Sequence, residues 1–281
     1  MSESVIVPPV SGRRGNRRIW VGTTLISLVL LIAVFGPLLA PYDPTVAIGD
    51  VFAGADRRSP LGLDYLGSDV ASRVLSGGLS LAWMVVLASV CALVVGTIIG
   101  MSVAVAGGVV ERIALWVCDV LLAFPYVVLV LVVVSMLGHS PLLMTATVSV
   151  AFLAGVIRLT RGLTADEITR EYVQAARLDG VGTPAILCSE VLPNILTAIL
   201  VHLGTMLTWA VGIFSALAFL GYGVSAPAAD WGLMINENRA GLQIQPLAVA
   251  VPMILVAVFA VGANLLADGI AATNAHGRRA S

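Results

Sequence analysis

Six apolar runs, at residues 19–40, 79–106, 113–137, 142–160, 195–222 and 246–270, leave this chain few ways to fold. Each is close to the roughly 20 residues that a helix needs to cross the hydrocarbon core of a bilayer. Within lipid, every backbone N–H and C=O must be satisfied internally. The expectation is therefore an all-α, polytopic membrane protein with six transmembrane helices. Composition agrees, with a mean hydropathy of +1.01 and only 11% charged residues, where a soluble domain carries about 25%. The first run follows four arginines, as a signal peptide would. It is longer than a typical signal core and no A-x-A site precedes Pro41, so it reads as an uncleaved helix.

Arginine placement gives the orientation. All fifteen basic residues are arginines. With the N-terminus inside, the inner segments hold eleven (13, 14, 17, 18, 112, 158, 161, 170, 177, 278, 279) and the outer ones four (57, 58, 73, 239). The positive-inside rule then puts both termini in the cytoplasm. The expected organisation is a cytoplasmic tail (1–18), a transmembrane domain (19–270) and a second cytoplasmic tail (271–281). Within the domain, 41–78 is an extracytoplasmic segment rich in Asp, Gly and Pro, and 161–194 is a cytoplasmic loop. A net charge of -1 offers no basic face for phosphates, which excludes nucleic acid as a partner. Cys91, Cys118 and Cys188 are odd in number and lack metal or CxxC spacing, so they read as small buried hydrophobes.

One polar stretch, Thr164–Asn194, interrupts the apolar pattern. Thr164 with Glu167 makes a capping box, so a helix is expected to start there. Ile168, Tyr172, Ala175 and Ala176 fall on one helical face, and Gly180 is placed to end the helix in a left-handed cap. Thr183-Pro184 reads as an N-cap with proline at N1 of a second short helix, which Pro193 would interrupt or end. A helix–turn–helix with a knob of small residues results.

Ionisable groups inside membrane spans are functional candidates by default. Asp119 either pairs with Arg112 or faces the protein interior. His202 either lines a pathway or packs as a hydrogen-bonded core residue, and Trp209 lies on the same run as a further pathway or gate candidate. Asp268 sits at the inner end of the last run, where snorkelling explains it. No carboxylate pair, His cluster, HExxH, GxSxG or phosphate loop occurs, so no catalytic residue and no metal site is assigned. Ion-coupled carriers need midplane carboxylates or paired broken helices, and neither stands out. What remains is a pathway-forming subunit powered through its cytoplasmic loop. A self-powered carrier or channel, and a membrane scaffold, are the alternatives from other classes.

Specific motifs narrow this reading. Gln174-Ala175-Ala176-Arg177-Leu178-Asp179-Gly180, nine residues, and then Glu190-Val191-Leu192-Pro193-Asn194 resemble the EAA loop of ABC-importer permeases. Residues 40–44 (APYDP), 60–69 (PLGLDYLGSD), 122–125 (LAFP), 219–224 (FLGYGV), 230–232 (DWG) and 264–269 (NLLADG) resemble the C-type permease of dipeptide, oligopeptide and nickel importers. Three positions depart from that pattern: Gln174 stands where glutamate is usual, Glu190 where a basic residue or histidine is common, and Ser68 where arginine is common. The resemblance implies the type I ABC-importer permease fold with a cytoplasmic coupling helix. Its docking residues would be Glu171, Gln174, Ala175, Ala176, Arg177, Asp179, Gly180 and Pro193. It further implies a B-type permease partner, two ABC ATPase domains that carry ATP and Mg, and an extracytoplasmic substrate-binding protein. This chain would bind no cofactor itself. Asp230, Trp231, Asn236, Glu237 and Arg239 are the expected contacts for the binding protein. Dipeptides or short oligopeptides are the expected cargo, with nickel or another chelate as the alternative, across a bacterial cytoplasmic membrane.

Overall fold

A computed structural model describes residues 12–280 apart from 139 and 225; side chains are described for 16–273. The first part of the expected N-terminal tail, 1–11, lies outside the described residues, as do Ser281 and the side chains of Arg13, Arg14, Arg278 and Arg279. Every regular element among the described residues is helical. In order they are α1 (Gly12–Leu39), α2 (Val70–Ser76), α3 (Gly78–Ala106), α4 (Gly108–Leu122), α5 (Tyr126–Leu137), α6 (Pro141–Glu167), α7 (Glu171–Leu178), α8 (Thr183–Ile186), α9 (Leu192–Phe219), α10 (Trp231–Asn238) and α11 (Leu247–Ala280). A π-helical turn, Leu187–Val191, joins α8 to α9, and a 3-10 turn, Arg239–Gly241, follows α10.

Helices run well past the apolar runs at both ends of the chain, because α1 begins at Gly12 and α11 continues to Ala280. Among the described residues, five helical stretches are long and apolar enough to cross a membrane. The sixth apolar run is not one straight helix: α4 and α5 meet at 84°. Pro125 sits at that bend as the residue before α5, where it offers no N–H and disfavours helix in Phe124. The bent pair still connects the two ends of the bundle. Near its start Glu111 pairs with Arg161 of α6, and near its end Ser135 Oγ donates to Tyr222 Oη at 3.2 Å.

Close helix packing rests on glycine. A Cβ on Gly22 of α1 would lie 2.6 Å from Leu266 N and 2.8 Å from Gly262 O of α11. On Gly100 of α3 it would lie 2.8 Å from Ile157 O of α6. Small residues let backbones approach where hydrophobic exclusion gives helices no net drive to associate. The buried core is aliphatic, with Val85, Ala88, Val148 and Val156 fully enclosed between α3 and α6.

At one end of the bundle the 41–78 segment folds over α10. Gln245 Nε2 donates to Ala53 O at 3.2 Å and to Leu61 O at 3.0 Å, and Tyr65 N donates to Asn238 Oδ1 at 3.0 Å. At the opposite end lie α7, α8 and the ion pair of Arg18 with Asp268 at 3.8 Å.

Candidate functional site

The polar loop folds differently from its local signals at the start and as expected at the turn. Helix α6 runs through Thr164 to Glu167, so no helix begins at Thr164; Ile168 N donates to Thr164 O at 2.9 Å. Nothing upstream breaks the long helix, and the side-chain oxygen of Thr164 is buried without a partner among the described residues. Glu167 instead accepts a 2.5 Å hydrogen bond from Tyr172 Oη. The new helix starts at Glu171 with Arg170 at its N-cap. Its inward residue is Val173, fully buried, whereas Tyr172 and Ala175 are exposed and Ala176 is half-buried. The expected face was one register off, because Ile168 belongs to the end of α6.

Gly180 ends α7 at φ +82°. Val181 N donates to Ala176 O and Gly180 N to Arg177 O, both at 3.1 Å. These are the two bonds of a Schellman motif, which satisfies carbonyls the helix end would orphan. Arg177 in the last turn and Glu171 in the first match the helix dipole. Gly182, not Thr183, is the N-cap of α8, which places Pro184 at its second position. Pro193 does not stop the chain. The π turn at Leu187–Val191 precedes it, and the helix carries on to Phe219. A π turn removes the need for the N–H that proline lacks.

The loop is held by few but specific contacts. Val173, Ile186 and Val191 are buried against the core. Gln174 Nε2 donates to Ile168 O at 2.9 Å, closing a free carbonyl at the end of α6. Asn194 Nδ2 donates to Tyr172 Oη at 3.0 Å and to Glu190 O at 2.7 Å, tying the start of α9 to α7. Loss of water around Tyr172, with the Glu167 carboxylate beside it, pushes its phenol up to about 12. Leu178 projects at 88% exposure beside exposed Val181, Gln174 and Asp179. A rigid, partly apolar knob on a short helix suits a cleft on a protein partner better than it suits water.

The membrane candidates separate. Asp119 pairs with Arg158 of α6, not with Arg112. Arg112 lies two helical turns away along α4, roughly 10 Å, whereas α6 passes alongside. Trp209 is 60% exposed on α9. His202 is partly buried, and its Nε2 comes within 4.0 Å of where a Cβ on Gly155 would sit. Of the cysteines, only Cys118 is buried; Cys91 and Cys188 are exposed. Among the described residues no group of three or more His, Cys, Asp or Glu is placed to hold a metal ion.

The docking candidates at the other end divide too. Trp231 is 1% exposed and donates from Nε1 to Val74 O at 2.8 Å. Asp230 is buried as the N-cap of α10, accepting from Gly232 N and Leu233 N and, at 2.5 Å, from Ser80 Oγ. Burial pushes its carboxyl upward, against those hydrogen bonds. Neither residue presents a surface, which corrects that expectation. Glu237 joins a cluster that sequence reasoning missed: Arg73, fully buried, pairs with Asp64 and with Glu237, the latter at 3.2 Å. Tyr65 Oη donates to Glu237 at 2.7 Å. The only signal was an arginine in an apolar helix, Val70–Ser76. Asn236 and Arg239 stay at least partly accessible, with Arg239 over the Phe219 ring at 5.9 Å.

A bundle of long apolar helices with one structured polar loop defines a multi-pass membrane protein. Residues 92–278 match the family model of binding-protein-dependent transport system inner membrane components, and residues 14–60 that of the N-terminal transmembrane domain of oligopeptide transport permease C. The chain is 30% identical over 265 residues to the dipeptide transport system permease protein of Haemophilus influenzae, covering 91% of this chain and 89% of that one. It is 33% identical over 255 residues to a peptide transport system permease protein of Escherichia coli (85% and 83% covered). To the nickel transport system permease protein of Escherichia coli it is 30% identical over 251 residues (88% and 89%). The chain therefore belongs to the peptide and nickel permease family of ABC importers, as a C-type permease subunit of the type I fold.

Proposed function

We propose that this chain, with a B-type permease, forms the pathway by which dipeptides or short oligopeptides enter a bacterial cell across the cytoplasmic membrane. Two partner ATPase domains carrying ATP and Mg drive it through α7, and an extracytoplasmic binding protein delivers the cargo. The arginine distribution supports cytoplasmic termini and a cytoplasmic α7. The observation that carries the coupling role is the knob itself: Leu178 and Val181 exposed on a loop whose backbone is fixed by the Schellman turn at Gly180 and whose root is buried at Val173. On this reading ATP closes the ATPase domains, α7 moves with them, and the two permeases open toward the docked binding protein. Hydrolysis resets the inward-facing state. The peptide names of two relatives support the cargo; the nickel relative at similar identity supports a metal chelate as the alternative.

Reconstitution with the partner subunits in liposomes tests this. Ala175→Trp, Ala176→Trp and Gly180→Arg are each expected to lower ATP-dependent dipeptide uptake more than tenfold and to uncouple cargo-stimulated ATPase activity, with the protein still reaching the membrane. Normal uptake in all three would overturn the coupling role. Transport by the purified chain alone, without ATP, would favour a self-powered carrier.

A further inference from the structure

We propose that Tyr126, Gly155 and His202 form a hydrogen-bonding contact point inside the membrane that holds the main-chain amide of a peptide in transit. The inference rests on the peptide-permease reading above. Three elements build the point. Tyr126 opens α5 directly after the 84° bend, and the bend turns its ring edge-on against Phe152 of α6, with centroids 5.4 Å apart. One turn further along α6 is Gly155, near the middle of that helix and about 20 Å from either end at 1.5 Å per residue. His202 reaches the same place from α9.

The space beside Gly155 has a definite character. A Cβ built there would lie 3.7 Å from Tyr126 Oη and 4.0 Å from His202 Nε2, and no other atom outside its own helix comes within 4 Å. The nearest neighbours of the glycine's bare face are thus two polar tips. Neither tip has a hydrogen-bond partner among the described residues, and both residues are only partly buried. In hydrocarbon an unsatisfied hydroxyl or imidazole is costly, so groups left open at this depth belong beside water or cargo. Other polar groups within the long helices are divided: Thr208 reaches both its own helix and Ala260 O, whereas Ser89 and Thr97 are enclosed without a partner among the described residues. Tyr126 and His202 differ from these in being only partly buried and in bringing their polar tips to one glycine.

The chemistry selects the ligand. A phenol and a neutral imidazole each donate one hydrogen bond and accept another. A peptide amide offers one C=O and one N–H on adjacent atoms, so the pair can serve both without any fixed charge. Recognition of main chain alone leaves side-chain choice to the binding protein, which suits a carrier of varied peptides.

The test uses the complete complex in liposomes with alanyl-alanine as cargo. Tyr126→Phe and His202→Leu are expected to raise KM for uptake about tenfold, with binding-protein-stimulated ATPase activity retained. His202→Gln, which keeps a donor and an acceptor, is expected to stay within about twofold of wild type. Methylating the peptide nitrogen should cost wild type about tenfold in KM and cost His202→Leu little. In a chain whose Cys91, Cys118 and Cys188 are replaced by serine, Gly155→Cys is expected to react with a membrane-impermeant maleimide and to be slowed at least fivefold by saturating alanyl-alanine. Wild-type KM in both Tyr126→Phe and His202→Leu, or a cysteine at 155 that peptide does not protect, overturns the proposal. If the wild-type complex moves no dipeptide at all, it is the peptide-permease reading that fails.

Discussion

Gln174 shows how one side chain changes what a motif can do. Its amide donates to Ile168 O at 2.9 Å, a bond that the carboxylate usual at this position cannot make, because an ionised carboxylate only accepts. The residue therefore braces α7 against the end of α6, and under the proposed coupling role docking would fall to the shape around Ala175, Ala176, Leu178 and Gly180. Gln174→Glu is expected to lose that bond and set a carboxylate against a carbonyl, weakening the loop by about 1 kcal/mol. Faster amide hydrogen exchange across 170–180 would register it; unchanged exchange would show that the brace has no effect. Gly180 was legible from sequence because a positive φ is a property of one residue. The partner of Asp119 was not, because Arg112 and Arg158 are equally good cations and only the path of α6 chooses between them.

Among the helices, local signals succeed where nothing tertiary competes. Run length located the membrane elements, yet could not show that 113–137 bends at Pro125 or that Pro193 is absorbed by a π turn. The capping box at Thr164 failed because α6 arrives already helical and no residue breaks it. Glycines within the long helices also split by environment, which gives a prediction of opposite signs. Gly22→Ala would put a Cβ 2.6 Å from Leu266 N and push α1 off α11, an expected loss of about 1–3 kcal/mol. Gly162→Ala, inside α6 with nothing within 4 Å, is expected to gain about 0.5–1 kcal/mol. Thermal midpoints of the purified complex measure both, and a shared sign would contradict the packing argument.

Across the whole molecule, the buried Arg73 cluster links pieces far apart in sequence: Asp64 and Tyr65 of the 41–78 segment, α2, and Glu237 of α10. Burial pushes the Glu237 carboxyl upward, opposed by Tyr65 and Arg73. Removing Arg73 leaves its buried carboxylate partners without a cation, and breaking a buried pair in this way costs about 3–5 kcal/mol. Arg73→Met is expected to lower the thermal midpoint of the purified complex sharply. Arg73→Met with Asp64→Asn should recover part of the loss, because one of the two carboxylates left without a cation is gone. Equal midpoints for the single and double variants would mean that shape, not charge balance, sets the stability of this end. Because Asp230 and Trp231 are committed to the same cap, a binding protein would have to meet this end through more accessible groups such as Asn236 and Arg239.

The sequence alone determined that this chain crosses a membrane several times, which way its arginines favour it to sit, and that one loop turns at Gly180. Each of these depends on composition over a short window or on the freedom of one residue, and the bilayer and the backbone enforce them locally. Tertiary structure alone decided which cation meets Asp119, that Trp231 is buried under Val74, that Arg73 anchors a three-segment cluster, and that Tyr126 and His202 converge on Gly155. Those outcomes depend on which distant backbones come within a few ångströms of each other. Side chains of the same type and spacing would have allowed other pairings until the helices packed.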